Sequence, residues 1–514
     1  MKKKEILLLI LCFLIGFALR FYTFDKKSLW IDEVFTYNDS KDGLIEHLKF
    51  LNRDPADLIH PPLFFSMTHL FYPFDKPERD LRIIPLIFGV LSIPAIYFLS
   101  RLFSPTIALP CTLSLSFMTY HISLSQDGRF YSMLMFLGMM GTYLFMKHLI
   151  TLKRRYLLLT ALFFALSFYT SYGAIPFIIF SQMLWFYQMN NSFKKPPFSS
   201  FLILNAFILL FCLPWVLFII SIHHKSAFNV DKSDIGPLWT ILSNLLNDWV
   251  PFLPLMAISA VLLVLFPILS KNKRNAALLL GILVFPVLSV YFFCKSTTFQ
   301  HYFSSKYLIN FLPFFFISIF LAIDSVETKF KQFRKNFNLK IIFIAIFMFS
   351  NMIILPLYYR GEKQDLRGLV HFLKSELRDG DKIYIYSELY IPGMLHYFGI
   401  HPQFRYHYIA LQWKDHDKKT FESTIPLIVE NKRCTIFYSN VFSTKYVEDR
   451  NRLWIIAEKA FVEYLKNRSP CVLKGFFDGS FSIYRKFPSD VSIYLFLYDP
   501  AVLSEKQNID IPIE

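Results

Sequence analysis

Long apolar runs recur through the first 360 residues of the chain and then stop. They lie at 6–22, 81–100, 106–123, 130–149, 156–171, 174–189, 201–221, 252–270, 276–294, 307–324 and 340–358. Crossing a bilayer takes about 20 apolar residues, so these runs predict about eleven transmembrane helices. The break at Ser171-Tyr172-Gly173 separates two of them. Reading that pair as one kinked helix would invert every later loop, so two spans are kept.

Two stretches depart from this pattern. Residues 23–80 are too long and polar for a tight connection, yet hold apolar patches such as Leu63 to Tyr72. Amphipathic helices lying along the outer membrane surface are predicted there. After about residue 360 the hydropathy falls. Asp365 to Leu377 reads as a helix with Leu366, Leu369, Val370, Leu373 and Leu377 on one face. Asp379-Gly380-Asp381 is a turn signal, and Lys382–Tyr386, Thr435–Tyr438 and Phe481–Tyr484 alternate as strands do. The division predicted is an α-helical polytopic domain over 1–358, which includes the 23–80 outer loop, and a small α/β domain over 359–514.

Composition agrees with a multi-pass membrane protein: 54% of residues are hydrophobic and 18% charged, where soluble domains carry about a quarter charged. The formal charge of +16 would point to nucleic acid in a soluble chain. Here the basic residues concentrate in alternate loops, at Arg101, Lys153-Arg154-Arg155, Lys194-Lys195, Lys271 to Arg274 and Lys329 to Lys340. That alternation assigns them to the cytoplasm and excludes a nucleic-acid partner. Met1-Lys2-Lys3-Lys4 places the N-terminus on the same side, and no small-residue cleavage site follows the first run, so an uncleaved span is expected. An odd number of spans then puts the C-terminal domain outside. Cys12, Cys111, Cys212 and Cys294 read as small core residues, and Cys434 with Cys471 is the one pair that an oxidising compartment would allow.

The chemistry-bearing residues gather in the outer loops. Asp32-Glu33 follows the first span, flanked by Trp30 and Phe35. The pair is either two solvated acids or a general base, since a carboxylate shielded by apolar neighbours becomes more basic. His60-Pro61-Pro62-Leu63 reads first as a helix start. His121 and Ser125 share a helix face, and Gln126, Asp127 and Arg129 meet in the turn that follows. Asp127 would hold Arg129 or bind a divalent cation, and Arg129 would grip a phosphate. His301 and Lys306, interleaved with Tyr302 and Tyr307, form either an anchoring belt or a cationic site for a lipid phosphate. No phosphate-binding Gly-rich loop, Cys-x-x-Cys pair or His-Glu-x-x-His motif occurs, which argues against a nucleotide-driven pump or an intramembrane metalloprotease.

In this order, Ser28-Leu29-Trp30-Ile31-Asp32-Glu33, His60-Pro61-Pro62-Leu63, Asp80-Leu81-Arg82-Ile83-Ile84-Pro85, Ser125 to Tyr131 and Lys306-Tyr307-Leu308 resemble the bacterial members of glycosyltransferase family 39. These are relatives of protein O-mannosyltransferases and lipid A aminoarabinose transferases, with the GT-C membrane fold. The resemblance covers about 1–325, and beyond it only Asp365-Leu366-Arg367-Gly368 looks family-like. It implies inverting transfer of a sugar from a polyprenyl-phosphate donor to a lipid A, protein or glycan acceptor at the periplasmic face of the bacterial inner membrane. It carries acceptor activation to Asp32, with Glu33 assisting, and donor-phosphate binding to Arg129, Lys306 and His301. Asp127, His60, His121 and Gln126 would support acceptor or donor, with Asp127 as an alternative metal ligand. Two departures matter: position 127 is usually glutamate and position 306 usually arginine, so Lys306 loses bidentate phosphate contacts. The rival classes are a flippase or transporter of lipid-linked sugars and a non-catalytic scaffold. A transporter would place polar groups mid-span, whereas here they lie at the outer ends.

Overall fold

A computed structural model of the chain describes residues 3–53, 60–188, 196–223, 236–296, 305–330, 338–385, 390–400, 422–439, 452–458, 462, 471–479 and 492–499. Contacts divide it into two compact units. The first comprises Met1–Phe24, Asp42–Pro73 and Asp80–Pro356, and the second Asp25–Lys41, Phe74–Arg79 and Leu357–Glu514. The segment around Asp32, placed with the membrane part by its position in sequence, thus packs with the C-terminal residues.

The first unit is a helical bundle. Its helices are α1 (Lys3–Phe21), α3 (Leu44–Arg53), α4 (Leu63–His69), α6 (Ile83–Phe103), α7 (Ala108–Phe117), α8 (Thr119–Ser125), α9 (Tyr131–Thr151), α10 (Arg154–Thr170), α11 (Ala174–Ser181), α12 (Phe198–His223), α13 (Leu238–Trp249), α14 (Leu253–Leu269), α15 (Lys273–Ser296) and α16 (Leu312–Lys329). α17 (Leu339–Arg360) runs to the boundary, and the second unit holds α2 (Ile31–Ser40). The short α5 (Pro77–Asp80) precedes α6. Helix covers part of every predicted span, but among the described residues only six helical segments are long and apolar enough to cross a membrane. A seventh is available if α13 and α14, bent by 111°, count as one.

The other runs fall short for local reasons. α1 carries Lys3, Lys4, Glu5 and Arg20. The 106–123 run breaks at Met118, whose backbone is extended. α10 has 17 residues, about 25 Å at 1.5 Å per residue, against a hydrocarbon core of about 30 Å. The 174–189 run passes from α11 into a 3-10 turn at Gln182–Phe186.

Tight approaches set the packing at one end of this bundle. A side chain at Gly16 would meet Ile93 at 2.2 Å, so glycine lets α1 lie against α6. A side chain at Gly89 would meet Ser125 Oγ at 2.1 Å, which seats α8 on α6. Phe64 and Phe65 of α4 are buried as α4 packs against α6 and α10. The four cysteines of the apolar runs are buried, as core residues are.

The second unit is built on a six-stranded mixed sheet of order β2-β3-β1-β4-β6-β5. The strands are β1 (Lys382–Ile385), β2 (Glu422–Val429), β3 (Lys432–Ser439), β4 (Leu453–Ala457), β5 (Val472–Phe477) and β6 (Ile493–Tyr498). β1 runs parallel to β3 and β4, and the other pairs are antiparallel. The period of two divides the strands between two cores. Ile383, Ile436, Trp454 and Leu495 join one face to α18 (Leu366–Glu376) and α19 (Ile391–Phe398), while Tyr384, Phe437, Ile455 and Phe496 bury on the other. α18 opens where its pattern predicts, with Asp365 accepting the amide of Gly368 at 2.8 Å. The predicted strand at Phe481–Tyr484 lies outside the described residues. Cys434 and Cys471 are both buried. β3 and β5 stand four strand positions apart, about 19 Å at 4.8 Å per strand, where a disulfide needs Cα atoms within about 7 Å.

Candidate active site

In the bundle, the turn after α8 is built around the end of α1. Arg20, fully buried in the last turn of α1, donates to the carbonyls of Gly16 at 2.9 Å, Ser116 at 3.1 Å and Leu115 at 2.8 Å. Its guanidinium also reaches His121 Nδ1 at 2.8 Å. Arginine only donates, so Nδ1 accepts and the proton of the neutral ring sits on Nε2. Gln126 donates to the carbonyls of Arg20 at 2.9 Å and Tyr22 at 2.7 Å, and Arg82 donates to that of Phe24 at 3.0 Å. His121 and Gln126 therefore satisfy the orphan carbonyls at a helix terminus and a neighbouring arginine.

Asp127 and Arg129 are buried within the same turn, whose backbone closes from the Arg129 amide to the Asp127 carbonyl at 2.6 Å. From here an aromatic cluster gathers the remaining cations. The Arg129 guanidinium lies 5.5 Å from the Phe130 ring and Lys306 Nζ lies 5.3 Å over the Tyr131 ring. Tyr307 closes the group, edge-on to Tyr131 at 5.8 Å and against Phe130 at 6.3 Å. On its other side Phe64 meets Phe130 at 6.2 Å, and His60 packs on the neighbouring Phe65 at 5.9 Å. Three sequence-distant motifs thus converge on one cluster. Two cations on aromatic faces at one end of a bundle can take a phosphate. His301 lies outside the described residues. Among the described residues no three His, Cys, Asp or Glu side chains gather as a metal site would require.

One acid here has no counterpart among the sequence-predicted residues. Asp248, buried at the end of α13, accepts a short hydrogen bond from Ser305, whose Oγ accepts from Tyr120 at 2.8 Å. This chain fixes the residue next to Lys306. The legible signal was an Asp-Trp pair closing an amphipathic helix just ahead of a span.

In the second unit, Asp32 and Glu33 stand in the first turn of α2 and differ sharply. Glu33 is fully buried and its Oε2 accepts the backbone amide of Trp30 at 3.4 Å, capping the helix that it begins. Asp32 is half-buried, and its carbonyl accepts from Thr36 at 3.1 Å. Trp30 is buried under Lys363, whose Nζ lies 5.6 Å from the ring, so it anchors to protein.

The segment leading into α2 is laced to residues 361–367. Ser28 N donates to Glu362 Oε2 at 3.0 Å, Ile31 N to Gln364 Oε1 at 3.2 Å, and Arg367 N to Ser28 Oγ at 3.2 Å. Leu29 N donates to the Tyr397 hydroxyl at 2.7 Å, which donates to Glu78 at 3.0 Å. Lys27 caps the end of α17 through the carbonyl of Tyr358 at 2.6 Å. Burial pushes the Glu362 carboxyl above its usual range, with the Ser28 amide pulling the other way. Burial, then the charge of Glu78, pushes the Tyr397 hydroxyl up as well.

The fold of the chain resembles that of a known structure. ArnT from Cupriavidus metallidurans bound to undecaprenyl phosphate superposes with a TM-score of 0.53 and 11% identity over 97% of this chain and 99% of that one. The chain has the GT-C glycosyltransferase fold. The apo state of the same ArnT gives a TM-score of 0.54 over the same shares, again at 11% identity. Residues 59–218 match the family model of dolichyl-phosphate-mannose-protein mannosyltransferases, a segment that includes His60, His121 and the turn at 126–129. No curated protein matches the chain by sequence. The GT-C fold here is that of a multi-pass membrane protein with a C-terminal sheet domain.

Proposed function

We propose that this GT-C protein moves a hexosyl or pentosyl unit from a polyprenyl-phosphate-linked donor to a lipid, protein or glycan acceptor at the periplasmic face of the bacterial inner membrane. The observation that carries the reading is the meeting of Arg129 and Lys306 on the Phe130–Tyr131–Tyr307 cluster of the membrane unit. The reaction is one inverting displacement. The Asp32 carboxylate takes the acceptor proton as the acceptor oxygen or nitrogen bonds to the anomeric carbon, and the bond from that carbon to the phosphate oxygen breaks. Polyprenyl phosphate leaves with the electron pair, and Arg129 and Lys306 offset the charge gathering on it. Asp248, through Ser305, holds Lys306 in place.

Purified protein in lipid nanodiscs, supplied with synthetic polyprenyl-phosphate sugars and lipid A or peptide acceptors, tests this directly. Wild type should release free polyprenyl phosphate only when an acceptor is present. Transbilayer movement of the donor without cleavage would make the protein a transporter instead.

A further inference from the structure

At the far end of α9 the bundle holds a second polar site. Seventeen residues separate Tyr131 from His148, about 25 Å of helix, so this site lies most of a bilayer core away from the Arg129–Lys306 cluster. A cavity of about 870 Å³ opens there between α10 and α12, which pack together. Its polar end is lined by His148, Arg154, Arg155, Ser199 and Ser200. Arg154 begins α10, and the two serines sit in the first turn of α12, so two helix N-termini converge on the same space. Both present the positive end of the helix dipole. Its remaining wall is apolar, with Leu157, Phe207 and the exposed Leu158, Ile203 and Leu210.

His148 points to a ligand independently. It is 1% exposed, it lines the cavity, and its Nε2 has no hydrogen-bond partner. Its Nδ1 faces the carbonyl of Lys153 at 3.2 Å, and a carbonyl only accepts, so Nδ1 carries the proton. In the neutral ring Nε2 then accepts, which suits a hydroxyl beside an anion and not the anion itself.

We propose that this cavity binds an anionic phospholipid with a hydroxylated headgroup, of the phosphatidylglycerol kind. Arg154, Arg155 and the two helix N-termini take the phosphate, His148 Nε2 accepts from the headgroup hydroxyl, and an acyl chain lies along the apolar wall. Arginines are common at one membrane face as anchors. What distinguishes this site is the cavity between two helices, the paired N-termini and the buried unpartnered imidazole.

The test titrates phosphatidylglycerol, or phosphatidylcholine of the same chains, into the full-length protein in detergent and counts bound lipid by native mass spectrometry. Phosphatidylglycerol should bind more tightly. The double variant Arg154→Gln/Arg155→Gln should lose about thirtyfold in that affinity, a factor of about five for each charge removed. Both arginines are exposed, so folding should hold. Lys273→Gln/Arg274→Gln, exposed charges in the first turn of α15, should bind as wild type does. Equal binding of the two lipids, an unchanged double variant, or an equal loss in the control pair would overturn the proposal. So would full protection against thermal unfolding by inorganic phosphate alone, which would make the ligand a free anion.

Discussion

Because Glu33 accepts the Trp30 amide from within the protein while Asp32 stands half-exposed one residue earlier, the two carboxylates should separate under mutation. Asp32→Asn should lower sugar transfer by about 10²- to 10⁴-fold, the usual worth of a general base, with the melting temperature unchanged. Near wild-type turnover would remove Asp32 as the base. Glu33→Ala should instead destabilise the fold by about 1–2 kcal/mol, the cost of a lost cap and a stranded amide. A slower reaction with an unshifted melting temperature would move Glu33 into the chemistry. Lys306→Ala should raise the KM for donor far more than that for acceptor, and Lys306→Arg should keep the charge and bind at least as well. An unchanged donor KM in the alanine variant would remove Lys306 from phosphate binding.

At the scale of elements, α8 depends on one absent side chain. A methyl at position 89 falls 2.1 Å from Ser125 Oγ and 2.5 Å from its Cβ, and the Ser125 hydroxyl is already bonded to the His121 carbonyl at 2.7 Å. Gly89→Ala should therefore cost about 1–3 kcal/mol, as overpacking does. Adding Ser125→Gly should recover much of that loss in a double-mutant cycle of unfolding midpoints. Additive losses would show that the two positions do not compete for space. The same element explains why the dense polar stretch at 121–129 is so polar: His121 and Gln126 serve the end of α1, leaving Asp127 and Arg129 for the cluster.

At the scale of the whole chain, the second unit is assembled from three separate stretches, and polar contacts hold the first of them. Tyr397→Phe removes the acceptor of the Leu29 amide. Hydrogen exchange at Leu29 should then speed up several-fold, the worth of about 1 kcal/mol, and unaltered exchange would deny the hydroxyl that role. Glu362 gives this unit a pH dependence. Its folded carboxyl titrates above the ordinary 4.5, so the folded state keeps the proton longer than the unfolded state. Its unfavourable contribution is absent below the unfolded value, grows as pH rises from there, and is complete above the folded one. Glu362→Gln should flatten the fall in stability over that window while still accepting from Ser28. A melting profile that keeps its slope in the variant would assign the dependence to other groups.

Periodicity and composition determined the membrane class, the start of α18, the strands β1 and β3 and the switch to a sheet domain, because each depends on neighbours within a few residues. The order of motifs picked out the 125–131 turn and Lys306, whose segments the fold does bring together. Tertiary structure decided which polar residues are already committed. Arg20 finds His121 101 residues away, and Ser28 finds Glu362 334 residues away, separations at which no pattern names a partner. It also decided that the Asp32 segment packs with the C-terminal residues, that Asp248 anchors Ser305, and that Cys434 and Cys471 sit too many strands apart to join. A local pattern fixes which face of an element is apolar. Only the packed chain fixes what that face, and each buried polar group, meets.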